Sequence, residues 1–374
     1  MLDYQFITPA LDRSVSLRRQ VTAQAMQVFA GWGYREIQIP LLEHFDSLKR
    51  GLDEDQISRS FRFVDRSGNL MVLRPDVTPA VAKTYAYQLQ GLPVPLRVSY
   101  SNKVVRIERS FGGAQLESYQ VGVELIGGEG LVADVEILLV VLEVLDRLGL
   151  ERFHINLADH HTARHLLNAT GAPSRIREDV QEAIHARDPD EVRAILNNLG
   201  ARKPFVEAIA VLAGLEGGLQ QLDWIERLLP NDLALIKRLN YLRDLERTMD
   251  ELGYGTQVRI DLGELEGPSY YTGVAFSVVS EGVGRRLARG GRYDDLVGMF
   301  GAQTPAAGFS FSLEALVEIL HPQTGQLGNL GKRSELINVN KTEPVQGLRD
   351  ALERRRNNLP TRLVVRNGDR RDQA

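Results

Sequence analysis

Two strand-like runs, Arg106-Ile107-Glu108-Arg109 and Gln120-Val121-Gly122-Val123-Glu124, limit this chain's fold more than any other stretch. In and around them, apolar residues (Val105, Ile107; Tyr119, Val121, Val123, Leu125) alternate with other residues, the period of a β-strand. Successive side chains of a strand point to opposite faces. Gln120, Gly122, Glu124 and Ile126 therefore share one face, and Arg106 and Glu108 share one face of the other strand. A face of Arg, Glu and Gln around a glycine is too polar for a core. The glycine leaves room for a ligand to approach the backbone. Such a face suits a small zwitterion, with carboxylates for an ammonium group and an arginine for a carboxylate or phosphate. A solvated face of an antiparallel sheet explains the same alternation, and the pattern alone does not separate the two.

The flanking segments set the fold class. Ser14–Phe29 reads as an amphipathic helix with Leu17, Val21, Ala25 and Val28 on one stripe, stopped by Gly33. Tyr34–Leu42 reads as a strand ending at Pro40, and Val94–Tyr100, Lys103–Arg109 and Ser118–Gly127 continue the strand signal. Ala133–Leu148 is a helix apolar around most of its circumference, which predicts deep burial. Helix, hairpin-like strands and helix in that order predict an α+β fold, an antiparallel sheet flanked by helices. Residues 160–250 change to Ala, Leu, Glu and Arg with helical spacing in Ser174–Ala186, Pro189–Leu199 and Leu233–Leu252. Strand signals return at Gln257–Leu262 and Val274–Val279, before a last helix near Ser312–Leu320. The expected division is a first core segment over 1–150, a mainly helical insertion over 151–255, a second core segment over 256–320, and a degenerate or flexible tail over 321–374.

Several function classes are excluded or disfavoured. Without cysteine there is no disulfide, thiolate nucleophile or Cys-based zinc site, which fits a reducing cytoplasm. A net charge of −4 argues against bulk binding to nucleic acid or anionic membrane. The start, Met1-Leu2-Asp3-Tyr4, does not read as a signal peptide, and the apolar run Ile137–Leu142 is too short to span a bilayer. His160, His161 and His165 near Asp159 show no third ligand at metal-site spacing, so a surface helix start is expected. No Walker loop, Ser-His-Asp arrangement or dinucleotide fingerprint stands out, and no cofactor is expected.

Six stretches in order resemble the class II aminoacyl-tRNA synthetases, specifically histidyl-tRNA synthetase, over about residues 5–320. Gly33–Pro40 is similar to the family's first motif, which builds its dimer interface. Asp65-Arg66-Ser67-Gly68 with Leu73-Arg74-Pro75-Asp76-Val77-Thr78 is similar to the segment that holds the amino group. Arg106–Glu124 resembles the second motif, and Tyr270-Tyr271-Thr272-Gly273 the histidine signature. Gly290-Gly291-Arg292-Tyr293-Asp294 and Gly308–Glu314 resemble the approach to the third motif. The resemblance implies the class II synthetase-like core. It also implies a histidine pocket in which Asp76 and Glu124 hold the ammonium, Thr78, Gln120 and Arg106 add polar contacts, and Tyr270 and Tyr271 wall the imidazole. The residues leave alternatives: Asp76 and Thr78 as helix caps, Tyr270 and Tyr271 as sheet aromatics that cannot share one strand face, and Gly290-Gly291 as a turn.

The departures from the family bear on activity. Its third-motif arginine is here Ala315, the arginine before the tyrosine pair is Glu266, and the arginine-rich loop of the second motif reads Gly113-Ala114-Gln115-Leu116-Glu117. Among these motif positions only Arg106 remains as a cation. A charge pair at ~4 Å contributes about 4 kcal/mol at an effective dielectric near 20, so reversal at Glu266 counts for up to about twice that. Efficient adenylation is not expected. The 54 residues after Leu320 read without the strand and helix alternation of an anticodon domain, so tRNA recognition is not expected either.

A core of this kind is similar to one group, the regulatory subunits of ATP phosphoribosyltransferase. The resemblance implies a non-catalytic activator that relays histidine feedback, a homodimer within a hetero-octamer, and a short catalytic subunit as partner. Two other readings stay open: a truncated histidine-activating ligase, and an RNA-binding remnant using the eight arginines between Arg349 and Arg371. Acidic residues interrupt that cluster, which favours a solvated tail.

Overall fold

The computed structural model describes residues 13–110, 113–214, 217–264, 267–320, 335–340 and 361–366, with residues 346, 349–350 and 353–354 between the last two ranges. The chain opens with α1 (Arg13–Gly31), whose stripe Leu17, Val21, Ala25 and Val28 is at most 1% exposed. Gly33 stops it at φ 80°, where a side chain would strain the backbone. β1 (Arg35–Glu36) follows, and Ile37 N–H still donates to Ser99 O at 2.8 Å. The strand expected over Tyr34–Leu42 breaks there. Pro40 carries no N–H for a ladder, and β2 (Leu42–His44) joins another sheet.

Short elements come next: α2 (Phe45–Leu48), α3 (Glu54–Arg59), β3 (Arg62–Val64), β4 (Leu70–Leu73) and α4 (Thr78–Thr84). β2, β4 and β3 form a small antiparallel sheet in that order. β5 (Leu96–Ser110) is one long strand where two segments were expected, with an irregularity between Val105 and Glu108. β6 (Gly113–Ile126) returns antiparallel to it, and α5 (Gly130–Arg147) follows.

β7 (Phe153–Asp159) lies in the segment read as insertion, yet it pairs with the main sheet. Six of its seven residues are buried, so the period-two alternation of a half-exposed strand is masked. The insertion proper carries α6 (His160–Ala169), α7 (Ser174–His185), α8 (Pro189–Asn198), α9 (Lys203–Leu212), α10 (Leu219–Leu228) and α11 (Leu233–Glu251). The chain re-enters the sheet as β8 (Val258–Ile260), then runs through β9 (Val274–Ser280), β10 (Ala288–Arg292), β11 (Ala306–Ser312) and α12 (Leu313–Leu320). Gly290 and Gly291 are thus strand residues, not a turn.

Among the described residues the main sheet has eight strands in the order β1-β5-β6-β11-β10-β9-β7-β8. Its inner pairs are antiparallel, and only β1–β5 and β7–β8 are parallel. Val121, Val123, Phe309 and Phe311 turn to the face covered by α1 and α5, where Phe29 meets Phe309 edge-on at 6.0 Å. Arg97 grips Glu136 of α5 through two bonds of 2.8 and 2.7 Å, and Trp32 donates to Glu143. These bonds fix α5 against α1 and the sheet, which leaves the opposite face for the site.

The chain divides into two compact units, Met1–Ile319 and Leu320–Ala374. In the second, β12 (Glu335–Asn340) and β13 (Thr361–Arg366) pair in parallel. This strand pair lies in the segment expected as a degenerate or flexible tail without the strand and helix alternation of an anticodon domain. Leu336-Ile337 and Leu363-Val364-Val365 are short apolar runs, and the span 341–360 is long enough for the crossover that parallel strands need. Most of the arginine cluster, Arg355 to Arg371, falls outside the described residues or on β13. No helix among the described residues is long and apolar enough to cross a membrane.

Candidate functional site

The free face of the main sheet is built in rows. Gly308 lies opposite Glu124 and Val98, Ser310 opposite Gly122 and Tyr100, and Ser312 opposite Gln120 and Asn102. β10 extends two rows, with Gly291 beside Gly308 and Arg289 beside Ser310. The face read from the alternation of β6 is therefore one continuous surface. Glycine is required at its centre. A Cβ on Gly308 would overlap the Glu124 carboxylate and come within 2.5 Å of Val123 O, and one on Gly122 would overlap Phe309 O.

Glu124 is fully buried. Its carboxylate accepts from Thr78 Oγ1 at 2.7 Å, Tyr100 Oη at 3.0 Å and Tyr293 Oη. Burial pushes its pKa up to about 8 against the pull of those three hydroxyls, and the Asp76 charge adds to the rise. The folded protein therefore holds a proton here that the unfolded chain releases near 4.5. Stability from this group is complete below that value and falls as pH rises through about 8. Glu124→Gln is expected to flatten this decline by up to about 1.4 kcal/mol per pH unit. Urea unfolding of both proteins between about pH 5 and pH 8 reads the difference, and parallel pH profiles would refute it.

The walls come from separate elements. Asp76, 4% exposed, accepts from Gln56 Nε2 at 3.0 Å and Tyr270 Oη at 2.9 Å. Val77 N–H donates to Gln120 Oε1 at 2.9 Å, which ties the start of α4 to β6. The N-cap of α4 is Val77, without a side-chain cap, so neither Asp76 nor Thr78 serves as one. Arg106 reaches Pro75 O at 2.9 Å from the irregular part of β5. Tyr270 and Tyr271 sit in the turn before β9, not in a strand, and meet edge-on at 5.3 Å. Released from strand alternation, both face the same cavity.

Asp76, Thr78, Arg106, Gln120, Tyr270 and Tyr271 together line a cavity of about 540 Å³. Glu124 does not line it. Thr78 and Tyr293 stand between its carboxylate and the space, so its direct effect is to orient hydroxyls that do. Glu108, expected beside Arg106, has its side chain outside the described residues.

Other contributors were not read from sequence. Asp53 and Gln56 come from the start of α3, His185 from the end of α7, and Tyr293 from the end of β10. Tyr293 stood inside a quoted motif, so its signal was available; His185, in the insertion, offered none. Arg59, Arg285, Arg286 and Arg289 also line the cavity, so its cations are not limited to Arg106. Arg59 pairs with Asp55, Arg285 with Glu318 at 2.6 Å, and Arg286 with Glu264 at 2.6 Å. Ala315 is fully buried in α12, and its neighbour Glu314 accepts from Arg18 at 2.7 Å and from Tyr119 N–H at 3.1 Å. Glu266 and the side chains of 113–115 lie outside the described residues.

Asp159 accepts from the N–H groups of His161 and Thr162 and so caps α6, while His165 contacts Asp232 at 2.6 Å. His160 turns toward the site, its ring edge-on to Tyr271 at 5.5 Å, and burial lowers its pKa to about 4. No group of three His, Asp or Glu suited to a metal occurs among the described residues. A second, more open cavity of about 1090 Å³ lies between α11 and the core, over Asp134, Tyr241 and Arg292.

The family profile described as histidyl-tRNA synthetase matches residues 7–316. A protein of Geobacter sulfurreducens named ATP phosphoribosyltransferase regulatory subunit is 34% identical over 352 residues, 92% of this chain and 79% of that protein. One of the same name from Desulfitobacterium hafniense is 31% identical over 82% of this chain and 79% of its own length. The crystal structure of an ATP phosphoribosyltransferase regulatory subunit/histidyl-tRNA synthetase from Bacillus halodurans superposes with a TM-score of 0.84 at 25% identity, covering 100% of this chain and 95% of that one. The histidyl-tRNA synthetase of a Nostoc species shares the fold, with a TM-score of 0.73 at 18% identity over 99% of this chain and 88% of that one.

Proposed function

Because the chain belongs to the histidyl-tRNA synthetase family, in the branch of the ATP phosphoribosyltransferase regulatory subunits, we propose that it regulates that enzyme without catalysing its reaction. In this reading it is a cytoplasmic protein of histidine biosynthesis. It forms a homodimer that assembles with short catalytic subunits, as a hetero-octamer, and activates them. Histidine enters the 540 Å³ cavity and relays feedback. Asp76 and Gln120 meet the ammonium group, Thr78 and Tyr293 present hydroxyls set by Glu124, and Tyr270 and Tyr271 form the aromatic wall. Histidine must then favour the inhibited arrangement by differential binding, a coupling of about 1–3 kcal/mol. tRNA has no part in the proposal.

The observation that carries it is Ala315, sealed at 0% exposure where adenylating relatives are expected to place an arginine. One observation favours a second reading, a histidine-activating ligase: five arginines among the described residues line the cavity. Two experiments separate them. Mixing the purified chain with a short ATP phosphoribosyltransferase that is inactive alone should restore transferase activity, and histidine should suppress it. Histidine-dependent ATP–pyrophosphate exchange by the chain alone should be absent; robust exchange would remove the regulatory reading.

Asp76→Ala tests the pocket directly. It takes one carboxylate from a buried ammonium site, and charge-assisted bonds of this kind contribute about 1.5–3 kcal/mol. Histidine affinity by calorimetry should fall by about 10- to 100-fold with assembly unchanged. An unchanged affinity would move histidine out of this cavity.

A further inference from the structure

We infer that Glu124 acts from beneath the cavity as a positioning residue, giving up a proton when the cationic group of a ligand arrives, so that Thr78 and Tyr293 present lone pairs to that group. The inference rests on the cavity taking an amino acid, and it deepens that reading, because the ammonium group is the cation such a ligand brings.

The hydrogen bonds carry the argument. Oε1 of Glu124 accepts from Thr78 Oγ1 and Tyr100 Oη at 2.7 and 3.0 Å, whereas Oε2 accepts from Tyr293 Oη alone among the described residues. As a carboxylate, Glu124 takes all three hydroxyl hydrogens, and each hydroxyl oxygen keeps lone pairs for another donor. Thr78 and Tyr293 line the cavity, so those lone pairs are available to a ligand. As a neutral acid, Glu124 must itself donate one bond. Oε2 has a single partner, so the proton fits there and its bond runs to Tyr293 Oη. Glu124 is the one hydrogen-bond partner of that oxygen among the described residues, so the Tyr293 hydrogen then turns toward the cavity. An ammonium group has three donors and no acceptor. The carboxylate arrangement satisfies it, and the neutral one sets donor against donor.

Charge argues the same way. Glu124 is fully buried, and no arginine or lysine pairs with it among the described residues. A buried carboxylate without a counterion is unfavourable, in agreement with a pKa pushed up to about 8. Each element packed against Glu124 is accounted for. Thr78 comes from α4 and Asp76, just ahead of it, repels the ionised form. Tyr100 comes from β5 and Tyr293 from the end of β10, while β11 brings the backbone of Gly308. Tyr34, Tyr270 and Tyr271 also feel the Glu124 charge. Burial pushes all five tyrosines above the ordinary tyrosine value, so they stay neutral while Glu124 titrates. An ammonium group beside Asp76 cancels the repulsion and adds an attraction. The exchange balances: one positive charge enters with the ligand, and one proton leaves Glu124 for the solvent.

The test counts protons as histidine binds the full chain, by calorimetry near pH 7 in two buffers of different ionisation enthalpy. Wild type should release close to one proton more per histidine than Glu124→Gln, whose amide can neither take nor give one. The ligand's own titration is common to both proteins and cancels. Near pH 8 the variant should bind histidine at least about 10-fold more weakly than wild type. That gap should close by up to about 10-fold per pH unit as pH falls, because wild type then carries the proton too. Tyr293→Phe, which removes the hydroxyl and keeps the ring, should weaken histidine about 10-fold. Equal proton release by wild type and Glu124→Gln would overturn the exchange, and wild-type affinity in Tyr293→Phe would overturn the part given to its hydroxyl. Should Glu124→Gln fail to fold, the wild type decides alone, since binding without proton release refutes the inference. That result leaves the amino-acid reading of the cavity standing, whereas wild type that binds no histidine removes the reading itself.

Discussion

Arg292→Ala is expected to cost about 3–5 kcal/mol of folding stability, because it strands a buried carboxylate. Arg292 ends β10 at 9% exposure and grips Asp134 of α5 through Nε at 3.1 Å and Nη2 at 2.5 Å. It also donates to Gly128 O at 3.0 Å and Asp294 at 3.1 Å. Asp134, 6% exposed, accepts in addition from Tyr241 of α11 at 2.5 Å. Burial already raises the Asp134 pKa against the pull of Arg292, so losing the guanidinium leaves a charge with no nearby counterion. Guanidinium denaturation of the variant reads the loss. Replacing both partners with apolar residues, Arg292→Met with Asp134→Leu, should recover most of it. A loss below about 1 kcal/mol for the single variant would mean that water reaches Asp134 and that the pair is not a structural tie.

Gly308→Ala is expected to be nearly as damaging, and more selectively so. The added Cβ overlaps the Glu124 carboxylate, which three hydroxyls hold in place, and presses on Val123 O at 2.5 Å. Either Glu124 abandons those hydroxyls or β11 shifts from β6. Overpacking costs about 1–3 kcal/mol, and buried groups left unpaired cost a similar amount each. Histidine binding should be lost even where the fold survives, since Thr78 and Tyr293 lose the acceptor that orients them. Calorimetry alongside thermal unfolding separates the two effects. Wild-type affinity in Gly308→Ala would show that the carboxylate does not set the cavity's hydroxyls.

The sheet was legible in sequence wherever one of its faces is polar. Gln120, Gly122 and Glu124 alternate with valines, which marks a polar face but does not by itself tell a ligand face from a solvated one. β7 escaped because both its faces are covered, which removes the alternation. β12 and β13 escaped because each is short and their pairing is non-local. Tyr270 and Tyr271 were hard to place for the opposite reason. Strand geometry forbids both from sharing a face, and the chain resolves this by not being a strand there. Motif positions brought Asp76, Thr78, Arg106 and Gln120 to one cavity. The same motifs said nothing of Arg289 or His185, since a side chain supplied by register or by an inserted segment leaves no local pattern. Glu124 shows a further limit: sequence put it on the correct face, and only packing shows that it lies beneath the surface.

The chain leaves the main sheet at Asp159 and comes back at Val258 on the adjacent parallel strand, with Ile155 opposite Val258. Because the two strands are parallel, exit and re-entry lie about four residues, or ~13 Å, apart along the sheet, and the intervening helices form the crossover that such a pair requires. The helices between them amount to a cassette. Remodelling that cassette would reach the pocket as well as the surface, since it supplies His185 to the cavity wall, His160 to the edge of Tyr271 and Tyr241 to Asp134.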